Sequence, residues 1–350
     1  MRVLVQPGDG VAPLLAGIKG AKKSIEIVIF RFDVRELEVA LKMAVTRGVF
    51  VHALIAYTNG DSQKNLRKLE ARLLAAGVTV ARTANDLERY HAKFMIVDRR
   101  VLYLMTFNYT HLDIDHSRGF GLVLRSKQIV QEAVRLFEAD TTRQPYTPKQ
   151  DHFIVSPANS RAQLSAFIQG ARKQLLIYDS KLNDSRITRL LQERARAGVE
   201  IRVIGQLSKR SRGMQASKLR RMRLHAQVII RDGQQIFLGS QSLRKAELDN
   251  RREVGLITRD PQVVKRLLAT FVADWSASQA VKGLMKEPPA ETKEARPFAL
   301  VSVLKEAVKD AVKEVVAEAG GSVPETKEVK EAVKEAVKEA VKEKELKPAA

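Results

Sequence analysis

The sequence is internally duplicated, and this repeat restricts the available folds more than any other feature. The segment "AKKSIEIVIF" at 21–30 corresponds to "ARKQLLIYDS" at 171–180, and "TRGVFVHALI" at 46–55 corresponds to "RAGVEIRVIG" at 196–205. Both pairs are separated by 150 residues. Because a constant offset over long blocks indicates a repeated structural unit, we expect two lobes of similar fold.

The segments that follow share a second constant offset. "RYHAKFMIVD" at 89–98 corresponds to "RLHAQVIIRD" at 223–232, so each copy places a histidine seven residues before an aspartate. His91 and His225 are 134 residues apart, which makes the second lobe 16 residues shorter ahead of its histidine. If the two lobes pack against each other, the two histidines are expected to meet in one cleft.

Each lobe has the residue pattern of an α/β fold. Segments such as "RELEVALKMAVTRG" have apolar residues at helical spacing, and short apolar runs such as "SIEIVIF" and "VFVHALI" predict buried strands. The expected fold class is therefore two similar α/β lobes, each a mixed β-sheet flanked by helices. The expected division is lobe one at 1–140, a linker at 141–152, lobe two at 153–285, and a charged helical tail rich in Ala, Val, Lys and Glu at 286–350.

The charge of the two lobes favours phosphate-bearing partners. The formal net charge is +21, and the tail contributes none of it because it has 13 basic and 14 acidic residues. Phospholipid or another phosphodiester, an anionic membrane surface and nucleic acid are the expected partner classes. The absence of cysteine excludes disulfides, and no apolar stretch reaches the ~18 residues of a membrane span. We expect a cytoplasmic protein, soluble or peripheral to the membrane.

The two histidine segments resemble the phospholipase D superfamily, in particular its bacterial members related to cardiolipin synthase. The family pattern is His-x-Lys-x4-Asp-x6-Gly-Ser-x-Asn, and here it reads "HAKFMIVD" with "MTFN", then "HAQVIIRD" with "GSQS". The resemblance covers about residues 1–280. It implies two α/β lobes with one active site between them, which cleaves or exchanges phosphodiesters of lipids or nucleic acids without a required metal.

The resemblance assigns roles to individual residues. The catalytic positions that it implies are His91, Lys93, Asp98, His225, Asp232 and Glu253. The substrate-binding positions that it implies are Thr106, Asn108, Gln227, Ser240 and Ser242. The chain departs from the pattern at Met105, Gly119, Gln227 and Ser242. Gln227 replaces the second lysine, and Gly119 replaces the acidic residue that lobe two has as Glu253.

Phosphodiester chemistry explains why these residue types are needed. One imidazole attacks phosphorus to form a phosphohistidine, and its protonated partner gives a proton to the leaving oxygen. Our hypothesis makes His225, oriented by Glu253, the nucleophile and His91 the acid, with the reverse assignment left open. Lys93 is then the cation on the phosphate. Because Gln227 removes one cation, we expect an enzyme that is slower by roughly 10²–10³.

A basic stretch, "SKRSRGMQASKLRRMR" at 208–223, lies just before the second histidine. We predict that Arg220, Arg221 and Arg223 contact substrate phosphate, and the alternative is an exposed solubilising loop. The run "THLDIDHSRG" at 110–119 mixes two histidines with two aspartates but has no further ligand cluster, so neither a metal nor a cofactor is predicted. Asp113 or Asp115 is an alternative source of the carboxylate missing at Gly119.

These features predict a phospholipase D-like phosphodiesterase or phosphatidyltransferase that acts on phospholipids. One alternative is a nuclease of the same superfamily, which is disfavoured by an aromatic content of only 5% without aromatics in the basic stretch. The other is a catalytically lapsed module that binds phosphate-bearing partners, supported by the four departures from the family pattern. Neither the lipid, the acceptor nor the oligomeric state follows from the sequence.

Overall fold

A computed structural model describes residues 1–57, 61–207 and 213–284. The expected tail at 286–350 lies outside the described residues, as do Lys209, Arg210 and Arg212 of the basic stretch. Both lobes belong to one compact unit, Met1–Leu284. In the described part of the chain, no helix has the length and apolar character that a membrane crossing requires.

Lobe one has eight strands and five helices in its described residues. They are β1 (Arg2–Gln6), α1 (Ala12–Gly20), β2 (Ser24–Ile29), α2 (Arg35–Thr46), β3 (Phe50–Ile55), α3 (Asp61–Ala75), β4 (Thr79–Arg82), β5 (Arg89–Tyr90), β6 (Phe94–Val97), β7 (Val101–Met105), α4 (His111–Asp115), β8 (Ser117–Leu124) and α5 (Lys127–Thr142). Helix α5 extends two residues into the expected linker, and residues 143–152 contain neither helix nor strand.

Lobe two repeats this order with one helix fewer and one strand more, because β16 and β17 stand where lobe one has β8. Its elements are β9 (Phe153–Val155), α6 (Ser160–Gln169), β10 (Gln174–Leu182), α7 (Ser185–Arg196), β11 (Glu200–Leu207), β12 (Gln215–Ser217), β13 (Arg223–Leu224), β14 (Gln227–Arg231), β15 (Gln235–Gly239), α8 (Lys245–Asp249), β16 (Arg251–Arg252), β17 (Val254–Thr258) and α9 (Pro261–Leu284). Between β11 and β12 its described residues contain no counterpart of α3, at the place where the sequence is shorter.

The two main sheets have the same strand order. Lobe one reads β1-β8-β7-β6-β2-β3-β4, and lobe two reads β9-β17-β15-β14-β10-β11-β12. In each sheet the strands related by helical crossovers are parallel, and the histidine-bearing hairpin is antiparallel to them. The prediction of two similar mixed α/β lobes is confirmed.

The lobes are joined by a shared hydrophobic core. One buried cluster contains residues from both sheets and from α5 and α9. A second cluster lies under the outer helices of lobe one, and a third lies under those of lobe two. Phe120 of lobe one contacts Tyr178 of lobe two with ring centroids 5.1 Å apart, and Tyr178 contacts Phe271 at the same distance. Since each fully buried aromatic or aliphatic side chain contributes about 1.5–3 kcal/mol, this core keeps the lobes in a fixed relation.

Candidate active site

Two short inter-lobe strand pairs bring the histidines to the same boundary. Strand β5, just before His91, pairs in parallel with β16 of lobe two, and β13, just before His225, pairs in parallel with β8 of lobe one. The backbone N–H of His91 donates to the Arg252 carbonyl at 2.8 Å, and that of His225 donates to the Arg118 carbonyl at 3.0 Å. Each histidine is therefore anchored to the opposite lobe.

Glu253 holds the imidazole of His91. The Nδ1 atom of His91 lies 3.0 Å from both carboxylate oxygens of Glu253. Burial raises the pKa of Glu253 to about 7, against the attraction of Lys93 and a hydrogen bond from Ser240, which lower it. With Nδ1 engaged, Nε2 is the ring nitrogen of His91 that remains available to a substrate.

Asp113 holds the imidazole of His225. The Nδ1 atom of His225 lies 3.1 Å from Oδ2 of Asp113, and Asn108 donates to the same oxygen from its backbone N–H and its side-chain amide. Arg223 forms an ion pair with the other carboxylate oxygen. Although burial alone would raise it, the contacts with His225 and Asn108 hold the pKa of Asp113 well below its usual range. Asp113 is therefore a firmly ionised partner.

The prediction that Glu253 orients His225 was wrong, because each carboxylate contacts the histidine of the other lobe. Glu253 contacts His91, and Asp113 contacts His225. Strand β16 delivers Glu253 to the histidine of lobe one. In lobe one the equivalent position is Gly119, where an added Cβ would lie 3.0 Å from the Phe107 side chain. A side chain there would crowd Phe107, and Asp113 of α4 supplies the carboxylate instead. The sequence carried a signal for this role, since Glu247 occupies the equivalent acidic position of α8.

Lys93 is a buried cation shared by both histidines. Its side chain is 1% exposed, its Nζ donates to the His91 carbonyl at 2.6 Å, and it lies over the Phe30 ring at 5.4 Å. Burial lowers the pKa of Lys93 to about 7, while Glu253 and Asp113 act to raise it. An anionic phosphate would favour the protonated form further. The charge of Lys93 also lowers the pKa of both histidines, so Lys93 acts electrostatically on each imidazole.

The two imidazoles differ in how readily they are protonated. Burial, followed by the charges of Lys93 and His225, holds the pKa of His91 well below 6.5. Burial also lowers the pKa of His225, but there Asp113 opposes the shift. The side chains remain 18% and 14% exposed, so both can be reached from solvent. This asymmetry favours a neutral His91 and makes His225 the easier ring to charge.

The remaining motif residues surround the histidines with their polar groups directed into the protein. The Thr106 hydroxyl donates to the His225 carbonyl at 2.9 Å, the Ser240 hydroxyl accepts from the Val254 N–H at 3.1 Å, and the Ser242 hydroxyl donates to Asp179 at 2.6 Å. Asn108, as described above, holds Asp113, and Gln227 is 8% exposed at the start of β14. These residues position the site, and their direct contact with substrate stays a prediction.

Asp98 and Asp232 do not lie at the histidines, which corrects their predicted catalytic role. Each follows the far end of its strand at a positive φ, 53° and 55°. Asp98 accepts backbone N–H bonds of 2.6–3.1 Å from Lys22, Lys23 and Ser24. Asp232 accepts equivalent bonds of 2.7–3.1 Å from Arg172, Lys173 and Gln174. Asp98 therefore stabilises the turn before β2, and Asp232 stabilises the turn before β10.

The described part of the basic stretch approaches the site through Arg223, which binds Asp113. Arg220 and Arg221 are exposed just ahead of β13, and their contact with substrate phosphate stays a prediction. Asp115 contacts the exposed His111 at 2.9 Å and does not approach the catalytic histidines. Across 1–57, 61–207 and 213–284, no three acidic or histidine side chains form a set that could hold a metal ion.

The family model described as "Cardiolipin synthase, PLD-like domain" matches residues 14–141 and 164–275. The chain belongs to the phospholipase D superfamily. The mitochondrial cardiolipin hydrolase of Mus musculus is 30% identical over 151 residues, which are 41% of this chain and 65% of that protein. The polyphosphate kinase of Vibrio parahaemolyticus is 28% identical over 230 residues, 56% of this chain and 32% of that protein.

A solved structure of phosphatidylserine synthase from Haemophilus influenzae has the same superfamily fold. It superposes with a TM-score of 0.60 at 12% identity over 79% of this chain and 85% of that chain. At this identity the likeness concerns the fold alone. The chain spans 32% to 65% of the length of the curated relatives that it matches. Superfamily members are phosphodiesterases or phosphotransferases.

Proposed function

We propose that this phospholipase D superfamily member cleaves or exchanges phosphodiesters of phospholipids, with His91 as nucleophile and His225 as general acid. The observation that carries the proposal is the crossed pairing of His91 with Glu253 and of His225 with Asp113 around one buried lysine. This reverses the assignment favoured by the sequence. The reason is that the carboxylate expected to orient the nucleophile lies on His91.

The first step forms a phosphohistidine. The Nε2 lone pair of neutral His91 attacks phosphorus while the bond from phosphorus to the leaving alkoxide oxygen breaks. Protonated His225 transfers its Nε2 proton to that oxygen, so the alcohol leaves neutral. Lys93 stabilises the charge that develops on the non-bridging phosphoryl oxygens. Glu253 keeps the Nδ1 proton of His91 in place and stabilises the positive ring.

The second step returns the protein to its starting state. His225, now neutral, takes a proton from water or from an acceptor alcohol. The resulting oxygen nucleophile forms a bond to phosphorus, and the bond from phosphorus to Nε2 of His91 breaks. Water yields the phosphatidic acid, and an alcohol yields a new phosphodiester. Asp113 stabilises the protonated His225 that is regenerated in this step.

Two observations support a phospholipid as the substrate. The matching family model carries the description of a cardiolipin synthase domain, and the mouse relative is a cardiolipin hydrolase. The net charge of +21 suits an anionic bilayer surface. A polyphosphate is the second candidate, because the match to the Vibrio polyphosphate kinase covers 230 residues against 151 for the lipid hydrolase. A nuclease activity remains an alternative without a structural observation in its favour.

A substrate comparison tests the proposal. The full chain is incubated separately with vesicles containing cardiolipin or phosphatidylglycerol, with plasmid DNA, and with polyphosphate plus ADP. We expect phosphatidic acid or a transferred phosphatidyl group from the vesicles, and the His91→Ala variant should lose it. Turnover of polyphosphate alone would replace the lipid proposal by the second candidate. Absence of turnover on all substrates would favour the lapsed binding module.

The pH dependence of kcat/KM is expected to report the two histidines. His91 must be neutral and His225 protonated, and the pKa of His225 lies below 6.5, so the basic limb of the profile is expected below pH 6.5. Activity should fall as pH rises through the pKa of His225. In Asp113→Asn the carboxylate that raises this pKa is lost, so the basic limb should move to lower pH. Asp115→Asn is the matched control, and a basic limb that stays in place in Asp113→Asn would contradict the assignment.

A further inference from the structure

Lobe one contains a cavity of about 1160 Å³ at the end of its sheet remote from the histidines. Its lining includes Val97 and Val101 at the turn between β6 and β7, Gly17 of α1, and Tyr103. His91 lies before β6, and the turn between β6 and β7 lies after β6. Because the four residues of β6 span about 13 Å, the cavity is separate from the catalytic site, and the inference drawn from it does not depend on the chemistry there.

Tyr103 presents its hydroxyl to this cavity. The side chain is 8% exposed, and its hydroxyl forms no hydrogen bond with any residue in the described ranges. The ring lies close to Gly17, where an added Cβ would be 2.5 Å from the phenol oxygen. A phenol hydroxyl can both donate and accept a hydrogen bond, so the Tyr103 hydroxyl is available to a ligand in the cavity.

Unpaired cations surround the same hydroxyl. The cavity lining includes four exposed cationic side chains that form no ion pair with a described carboxylate: Arg2, Arg100, Arg125 and Lys127. Arg2 and Arg125 line the same cavity as Tyr103. Burial raises the pKa of Tyr103, and the charges of Arg125 and Arg2 oppose this shift.

The other charged groups of the lining are already engaged. Arg99 pairs with Glu26 at 2.8 Å and with Glu138 at 2.9 Å. The carboxylate of Asp98 is occupied by three backbone N–H groups, as described above. The cavity thus combines the Tyr103 hydroxyl with an excess of positive charge.

Lobe two serves as an internal comparison, because its equivalent positions are filled. Phe167 replaces Gly17, Arg231 replaces Val97, and Phe237 replaces Tyr103. The guanidinium of Arg231 lies 4.7 Å from the Phe167 ring centroid and covers it. The hydroxyl is absent and bulky groups occupy the corresponding volume. The cavity is therefore not a by-product of the duplicated fold but a property of the residues in lobe one.

We propose that this cavity binds a phosphate-bearing ligand, with the Tyr103 hydroxyl, Arg2 and Arg125 as its donors. A phosphate group offers several acceptor oxygens and more than one negative charge, which matches a phenol flanked by guanidinium groups. The same chemistry is presented by a soluble phosphate compound and by the headgroup of an anionic lipid. Apolar lining residues such as Val97 and Val101 also suit the non-polar part of such a ligand.

The test measures binding with two probes, pyrophosphate in calorimetry and phosphatidylcholine vesicles with or without phosphatidylglycerol in co-sedimentation. Tyr103→Phe removes only the hydroxyl and is expected to weaken binding by about fivefold or more. The double variant Arg2→Gln/Arg125→Gln is expected to weaken it by more than about tenfold. Binding of pyrophosphate would identify a soluble ligand, and binding of phosphatidylglycerol vesicles alone would identify a lipid headgroup.

The matched control is Arg259→Gln/Arg266→Gln, which removes two exposed positive charges from lobe two and should leave affinity within about twofold. Thermal unfolding of each variant verifies that it is folded. Equal affinity in the cavity variants and the control would overturn the proposal, as would a wild-type protein that binds neither probe. Binding that is lost in Lys93→Gln but kept in the cavity variants would belong to the catalytic site and would also overturn it.

Discussion

Replacement of His91 by alanine is expected to abolish both turnover and the covalent phosphoprotein. Without its Nε2 the site lacks the proposed nucleophile, and we expect a loss of about 10⁴ or more in kcat. The measurement uses a substrate labelled with ³²P in the phosphodiester, followed by alkaline denaturation and detection of protein-bound label. Wild-type protein should show label during turnover, and His91→Ala should show none.

The companion variant His225→Ala is expected to behave differently. It loses the general acid, so the intermediate should form about 10²–10⁴ more slowly with a lipid substrate. A p-nitrophenyl phosphodiester needs no proton for departure, and with it the label should form and persist because no base activates water. His111→Ala, a change of an exposed histidine outside the site, should match wild type. Label retained in His91→Ala and lost in His225→Ala would reverse the assignment.

The second large effect is expected at Lys93. Its replacement by glutamine gives lobe one the residue that lobe two already carries at Gln227, so the site loses its buried cation without a large change in volume. We expect kcat to fall by about 10²–10³, the typical cost of one lost donor to a charged transition state. Steady-state kinetics with the vesicle substrate provides the measurement, and Lys265→Gln on the exposed face of α9 is the control.

Two outcomes bear on the interpretation of Lys93. A loss of less than about fivefold in Lys93→Gln would contradict a role in transition-state stabilisation. The double variant Lys93→Gln/Gln227→Lys moves the cation to the other lobe, where Asp179 is the strand neighbour of residue 227. If the phosphate needs one nearby cation from either lobe, kcat of the double variant is expected to be at least about tenfold higher than that of Lys93→Gln.

The duplicated α/β fold could be predicted because its signals are local. The spacing of apolar residues indicates helix or strand within each segment, and the constant offsets of 150 and 134 residues show that the segments recur in the same order. The 16-residue difference between the lobes corresponds to α3, which the described part of lobe two lacks. The histidines themselves also follow from the repeat, since both occupy the same place ahead of β6 and β14.

The roles of the aspartates could not be predicted from spacing. The motif places Asp98 seven residues after His91, yet the extended strand β6 carries it to the opposite end of the sheet, where it binds backbone N–H groups. Asp113, in contrast, was only an alternative in the sequence, and it contacts His225, which lies in the other lobe. Residues at the two ends of an extended strand are far apart in space even when they are close in sequence. Contacts between the lobes, in contrast, produce no regular spacing in the sequence.

The sequence by itself determined that this protein has two similar α/β lobes, a histidine at the equivalent place of each, and a single motif lysine for both. Only the tertiary structure decided which carboxylate serves which ring. The physical reason is that β5 pairs with β16 and β13 pairs with β8 across the lobe boundary. These pairings direct Glu253 to His91 and Asp113 to His225. The proposal of His91 as nucleophile and His225 as general acid is based on these pairings and agrees with the stronger lowering of the His91 pKa.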